Sequence, residues 1–461
     1  MMEIALPFIL FASICLVLMM GYPVALSLAG VSLIFAAVGS VTGVFDSAFI
    51  ALIPNRIYGI LINQNLYAVP LFVFMGAMLE KSKIAEDLLS NMAIVFRGVP
   101  GGLGLSVVLV GMLLAASTGI VGATVVTMGI LSLPTMIKAG YKPSLAAGTL
   151  CATGTLGQII PPSICLVLLG EVMSNAYQQS QLNSGNFAPD FISIGDLFAG
   201  AIVPGLMLVF SYAMYIFATA ILRPSDAPAM EKSDDEAEDA SIIFALIKGL
   251  LPPVFLMVAV LGSILSGLAT PTEAASVGAF GAIFLTLLRG GLNFKVLHEV
   301  SIETMRVTSM VYLILVGASI FSSVFRGFGG DELVESLLLG LPGGAFTAML
   351  VVMLLIFFLG FILDFIEITF MIVPLVGPIL LGMGLDPIWL GIMIAINLQT
   401  SFLTPPFGFS LFYLRSVAPA EIKTGDIYRG AVPFVILQLL LLCVLALQPG
   451  IVTWLPELLR N

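Results

Sequence analysis

Apolar residues in this chain come in long unbroken runs. Stretches such as 345–362 and 431–447 carry almost no polar side chain. A transmembrane strand shows about ten residues of alternating pattern, whereas a transmembrane helix needs ~20 apolar residues in succession. The runs therefore predict helices, because the bilayer interior satisfies no exposed backbone group. Their breaks predict spans at 4–20, 24–40, 66–80, 145–168, 196–222, 242–268, 273–289, 306–325, 388–414 and 430–454. Two further runs, 103–137 and 345–383, are each too long for one crossing and hold small or polar residues midway. Each predicts a re-entrant hairpin that enters and leaves on one side.

Composition agrees with this pattern. Of the 461 residues, 59% are hydrophobic and 10% charged, where a soluble domain carries roughly 25% charged residues. The net charge of −10 is concentrated, with seven acids and one lysine between Asp226 and Asp239. Residues 223–241 accordingly read as an acidic cytoplasmic linker between two halves, 1–222 and 242–461. No basic patch suggests nucleic acid. A single histidine, His298, excludes a His-based metal site or a multi-His proton relay within the chain. Cys15, Cys151, Cys165 and Cys443 lie in apolar runs without zinc spacing and read as small buried side chains. Gly154–Gly157 lacks the lysine of a phosphate loop. The first run has no basic start or cleavage site and reads as a span, not a signal peptide.

Basic residues orient the spans. With both termini outside, the inner loops hold Lys81, Lys83, Arg97, Lys138, Lys142, Arg223, Lys232, Lys248, Arg289, Lys295, Arg306, Arg415, Lys423 and Arg429, which is 14 of the 17. Only Arg56, Arg326 and Arg460 fall outside. Cytoplasmic loops carry such an excess.

The halves also resemble each other. Tyr22-Pro23 aligns with Thr270-Pro271 at an offset of 248. Further on the offset is 244: Pro134 matches Pro378, Pro143 matches Pro387, and Pro161-Pro162 matches Pro405-Pro406. Five crossings and a hairpin per half turn the second half upside down, the inverted repeat of many secondary transporters.

Four islands interrupt the spans and pair across this repeat. The first hairpin holds Ser117-Thr118-Gly119 and Gly122-Ala123-Thr124. The next span breaks at Gly154-Thr155-Leu156-Gly157-Gln158 and Pro161-Pro162-Ser163. The second hairpin holds Asp364, Glu367 and Thr369, and its following span breaks at Asn397 through Pro406. A double proline removes two donors and cannot continue a helix. The freed carbonyls suit a sodium ion completed by hydroxyl and amide oxygens, and the exposed N–H groups attract an anion. A lone Ser or Thr here can instead bond back to its own helix. An intramembrane carboxylate such as Asp364 is a functional candidate by default. Glu273 could equally be a partner of its helix N-terminus, His298 reads as a solvated surface residue, and Trp389 and Trp454 read as interface anchors.

These motifs together resemble the large membrane subunit of TRAP transporters, the tripartite ATP-independent periplasmic family. The resemblance is carried by Thr270-Pro-Thr-Glu-Ala-Ala275, Gly154 through Ser163, Gly360-Phe-Ile-Leu-Asp364 and Leu403-Thr-Pro-Pro-Phe-Gly408, and it runs over roughly residues 4–450. It implies an all-α polytopic protein of the elevator-type ion-transporter superfamily in a bacterial inner membrane. It also implies Na+ coupling without an organic cofactor, a small four-helix membrane partner, and a periplasmic binding protein that delivers a carboxylate or sulfonate. Sodium would meet Ser117, Thr118, Gly119, Gly154 and Thr155 in the first half, and Asp364, Asn397, Thr400 and Thr404 in the second. A substrate between the hairpin tips would meet Thr124, Gln158, Pro161, Ser163, Ser401, Pro405 and Gly408. Relatives often carry a Ser-Gly-Ser tip where this chain has Ser117-Thr118-Gly119. The polar segment 171–196 reads as an outer loop and a docking surface for the binding protein. A stand-alone sodium/organic-anion symporter is the alternative, and a membrane-embedded enzyme a remote one, because no Ser–His or paired-Asp arrangement is present.

Overall fold

The computed structural model describes residues 2–82, 88–89, 91–92, 95–96, 98–229, 236–405 and 408–460; side chains are described throughout these except at 2–4, 117, 118 and 236–249. The described residues are helical without a strand. Six helices are long and apolar enough to cross a membrane, or eight if each of two bent pairs is one span. Counted over residues with described side chains, five further apolar helices are shorter, at Ala5–Met19, Gly102–Ala116, Leu250–Leu265, Gly344–Leu359 and Pro387–Leu403.

In chain order the helices are α1 (Met2–Met19), α2 (Val24–Thr42), α3 (Ala48–Ala51), α4 (Ile53–Leu61) and α5 (Ala68–Lys81). The first hairpin is α6 (Gly102–Thr118) and α7 (Val121–Lys138), followed by the broken pair α8 (Pro143–Thr155) and α9 (Ile164–Asn183), then α10 (Ile194–Leu222). The second half has α11 (Glu236–Leu265), α12 (Pro271–Leu288), α13 (Phe294–Gly327) and α14 (Gly330–Leu339). Its hairpin is α15 (Gly344–Leu359) with α16 (Phe365–Met371) and α17 (Val373–Gly382), its broken pair α18 (Pro387–Leu403) and α19 (Phe409–Val417), and its end α20 (Thr424–Leu447) and α21 (Gly450–Arg460).

Two packed groups result. In one, α5 lies on α12 and α13, α13 on α2, and α11 on α12. In the other, α8 lies on α20, α7 and α6, α9 on α17, α18 on α20, and α19 on α7. The groups meet chiefly where α5 touches α6 and where α13 touches α16. Glycine allows the closest approach inside the second group. A Cβ on Gly148 of α8 would run into the Gly430 carbonyl of α20, and one on Gly430 into the Ser144 carbonyl. The outer faces carry exposed aromatics such as Phe210, Phe255, Phe280 and Phe346, as lipid contact requires.

Several expectations are corrected. The segment expected as a polar outer loop from residue 171 is helical as far as Asn183, because α9 continues well past residue 168; only 184–193 is irregular. The last span ends at Leu447, and Pro449 separates it from the amphipathic α21. That helix is pinned by Arg460, whose guanidinium donates to Asp196 at 2.8 and 3.2 Å. Trp389 is buried and donates Nε1–H to the Leu445 carbonyl at 2.8 Å, so it is a packing residue, while Trp454 is exposed. Glu273 closes a capping box: it accepts from the Thr270 N–H at 2.8 Å and hydroxyl at 2.9 Å. His298 is exposed and stacks on Phe294. Within the acidic linker, residues 230–235 lie outside the described residues; its start is tied down by the Lys142–Asp226 ion pair at 3.1 Å.

Candidate functional site

The hairpin tips lie against the helix breaks. Gly119 turns the first hairpin at φ +61°, and a Cβ there would meet Ile164 at 3.3–3.5 Å, at the start of α9. Just before the tip, Ala115 offers its carbonyl 3.1 Å from where a Cβ on Gly157 would sit. The second hairpin does the same: Gly360 faces Ser401 so closely that a Cβ would collide with its side chain. Ser401 is the offset-244 counterpart of Gly157. Each half therefore seats its own hairpin on its own break at matching positions.

The two breaks also touch each other, again at counterparts. Gln399 donates Nε2–H to the Thr155 hydroxyl at 3.2 Å, and their numbers differ by 244. Both are fully buried. The Thr155 hydroxyl donates in turn to the Ala152 carbonyl at 2.8 Å. Tyr212 of α10 takes Gln438 Nε2–H at 2.8 Å. Cys151 and Ser410 form a second bridge, with the Ser410 hydroxyl donating to the Cys151 carbonyl at 3.0 Å.

Polar groups at the first break are left unpaired. Gln158 is 1% exposed, and neither its amide nitrogen nor its oxygen has a partner; Thr153 Oγ1, Gln399 Oε1 and Thr369 Oγ1 are likewise unpaired. Orphaned buried groups of this kind are costly in apolar surroundings. Gln158, with both ends free beside the first break, is the polar side chain best placed for a ligand.

Other expected residues have local partners. Ser163 caps α9, accepting from Leu166 N–H at 3.4 Å and donating to the Gln158 carbonyl at 2.7 Å. Thr124, Thr400, Ser401 and Thr404 bond back to carbonyls in their own helices. Each hydroxyl still keeps acceptor lone pairs. Asn397 donates to the Met353 carbonyl at 2.7 Å, tying α18 to α15. Asp364 caps α16: its Oδ1 accepts from Phe365 N–H at 2.6 Å, and its own N–H donates to Glu367 at 3.0 Å. The Tyr413 ring of α19 lies 3.0–3.3 Å from where a Cβ on Gly122 would project, so α19 packs on the first hairpin. Pro161-Pro162 is a cis pair. Gly154 and Gly408 have no room for a side chain, against Val125 and the Phe402 carbonyl respectively. Pro405 lies in the second break. The side chains of Ser117 and Thr118, and all of Pro406, lie outside the described residues.

Sequence reasoning placed Gln399 in the second break without giving it a role, and missed Tyr212 and Gln438. Only Gln399 had a signal, as the counterpart of Thr155. It also missed a cavity of about 530 Å³ between the two helix groups, lined by Arg56 and Arg326 on one side and by Glu171, Phe370 and Pro374 on the other.

Comparisons with known proteins agree with this architecture. The chain is 29% identical to the C4-dicarboxylate TRAP transporter large permease protein of Vibrio cholerae, over all of this chain and 99% of that protein. It is 28% identical to the sialic acid TRAP transporter large permease protein of the same organism, over 95% of each. Among solved structures, the Alcanivorax borkumensis YdaH transporter shares the fold at a TM-score of 0.64 and 14% identity, over 98% of this chain and 99% of that one. Residues 11–451 match the family described as tripartite ATP-independent periplasmic transporter, DctM component, and the chain belongs to that family of multi-pass transporter permease subunits.

Proposed function

We propose that this chain is the large membrane subunit of a sodium-coupled importer of a small organic acid, working in a bacterial inner membrane with both termini outside. The observation that carries the reading is the paired seating of hairpin tips on helix breaks, joined at Thr155 and Gln399. Broken helices facing each other near mid-membrane are where secondary transporters hold ion and substrate. Sodium takes hard oxygen ligands, and the first break offers Thr153 Oγ1 without a partner. Ser117, Thr118, Gly119, Gly154 and Thr155 supply one ion site, and Asp364, Asn397, Thr400 and Thr404 the other. The acid lies between the tips, near Gln158 and Ser401. The relatives named for C4-dicarboxylate and sialic acid point to a carboxylate as its charged group. The two helix groups divide the work: the group bearing hairpins and breaks slides against the group built on α5, α12 and α13. A small four-helix membrane subunit and a periplasmic binding protein complete the system.

The test is uptake of labelled organic acids into proteoliposomes holding this chain and its small partner. Uptake that needs both a sodium gradient and the binding protein is expected. Uptake with sodium alone would reassign the chain to the stand-alone symporters.

A further inference from the structure

Arg56 and Arg326 are two of the three basic residues that fall on the side opposite the inner loops. The third, Arg460, is paired with Asp196. Arg56 sits on α4 and Arg326 in the last turn of α13, yet both line the cavity of about 530 Å³ between the helix groups. That volume suits a small ligand, within the usual ~300–1,000 Å³. A second hollow of about 420 Å³ adjoins it and shares Gln179, Arg326, Pro374 and Pro378.

Of the two guanidinium groups lining this cavity, only that of Arg56 lacks a carboxylate within ion-pairing distance among the described residues. Its one lining carboxylate, Glu171, is occupied by amide donors from Asn63 at 2.6 Å, Asn65 at 2.9 Å and Asn175 at 3.1 Å. Arg326 Nε lies 2.8 Å from Asp331, but its N–H is not aligned on the oxygen. Burial pushes the Asp331 carboxyl up, while Arg326 and Arg56 pull it down. Among the described residues no carboxylate lies within ion-pairing distance of Arg56. Asp331 offsets the Arg326 charge, so the guanidinium left open to an anion is chiefly that of Arg56. The facing wall is apolar at Val172, Ala176, Phe370 and Pro374, a match for the carbon skeleton of an acid.

We propose that this cavity is a waiting site for the incoming acid, at which Arg56 and Arg326 hold a carboxylate or sulfonate before it reaches the hairpin tips. Guanidinium groups take such anions with two parallel hydrogen bonds. Both arginines stand on the group that stays fixed, and the apolar wall belongs to the group that slides, so movement strips the acid from the arginines. This rests on the transport reading and orientation above.

The experiment reads the charge of the cavity without any transport. Ser319, which lines it half-buried, is replaced by cysteine in the full chain reconstituted in liposomes, with the Ser319 chain as background. Its reaction with an anionic sulfonatoethyl and a cationic trimethylammonium-ethyl methanethiosulfonate is timed. The anionic reagent should react faster by about threefold or more, since Arg56 is the charge in this cavity without a near counter-ion and local potentials concentrate the opposite ion. Arg56→Gln should bring the ratio near one, Arg56→Lys should keep most of it, and succinate should slow the labelling unless Arg56 is replaced. Equal rates with Arg56 present, or a cysteine that neither reagent reaches, overturn the proposal. Because no sodium gradient, binding protein or uptake is involved, that failure is separate from a failure of the transport reading.

Discussion

The two hairpin-and-break modules have the same plan and different chemistry. In the first, the tip turns on Gly119 and the break is held by Ser163, with no carboxylate at either place. In the second, the tip is a capping box of Asp364 and Glu367. An aromatic ladder, Phe365–Phe402–Phe409 with centroids 6.1 and 5.5 Å apart, ties it to the break. The second hairpin's returning arm is also bent by 56° between α16 and α17, where Pro374 follows the junction, whereas α7 is continuous. Proline removes the N–H that would carry the helix across. A duplicated frame has thus kept its contacts and placed its charge in one copy. The second module should therefore govern cation dependence, and the first should act through uncharged oxygens.

The largest expected effect is on the crossing of the first module's α8 with α20. Gly148→Leu puts a side chain where the Gly430 carbonyl lies. Overpacking typically costs ~1–3 kcal/mol, and a backbone clash that cannot relax stands at the upper end. Folded protein recovered in detergent should fall sharply, read by size-exclusion chromatography. A normal yield would mean that α8 is not held on α20 by this crossing.

Next is Asp364→Ala. The capping loss costs about 1 kcal/mol, so the protein should still reach the membrane. The sodium dependence of uptake should weaken by about tenfold or more, since an intramembrane carboxylate is a default ion partner. Gln158→Leu, in the uncharged module, should raise KM for the acid and leave the sodium dependence close to wild type.

The Thr155–Gln399 contact has a smaller effect. A buried hydrogen bond contributes about 1 kcal/mol net. Thr155→Val and Gln399→Leu should each lower thermal stability, and the double variant should lose less than their sum, because contacting residues couple. Strict additivity would separate the breaks energetically. The smallest is Glu273→Gln, distant from both modules. It weakens a solvent-facing capping box and should change uptake by less than about twofold, since surface changes rarely exceed ~0.5 kcal/mol.

Much of this frame was legible from prolines and polar islands. Pro161-Pro162 and Pro405-Pro406 mark both breaks in the sequence, and the offset of 244 pairs them. The misreadings share one cause. Hydropathy reports contact with lipid, and it fails where a helix is packed against protein. Residues 171–183 carry Asn175, Gln178 and Gln179 and looked like a loop, yet they form the end of a helix, with Asn175 and Gln179 turned to the cavity. Trp389 was misplaced for the same reason. The tie between Thr155 and Gln399 depends on two distant helices crossing at counterpart positions, which the repeat suggested and no local pattern contained. Arg56 and Arg326 were read for topology, and only their shared cavity joins them.

The most direct test of the central claim, that one module carries the charge for cation binding, is the melting temperature of the purified chain in sodium against choline. A ligand at about 100 times its Kd stabilises the folded state by ~2.7 kcal/mol. The account predicts a sodium-dependent rise in wild type that is much reduced in Asp364→Ala and largely kept in Gln158→Leu. An equal rise in wild type and Asp364→Ala would contradict it.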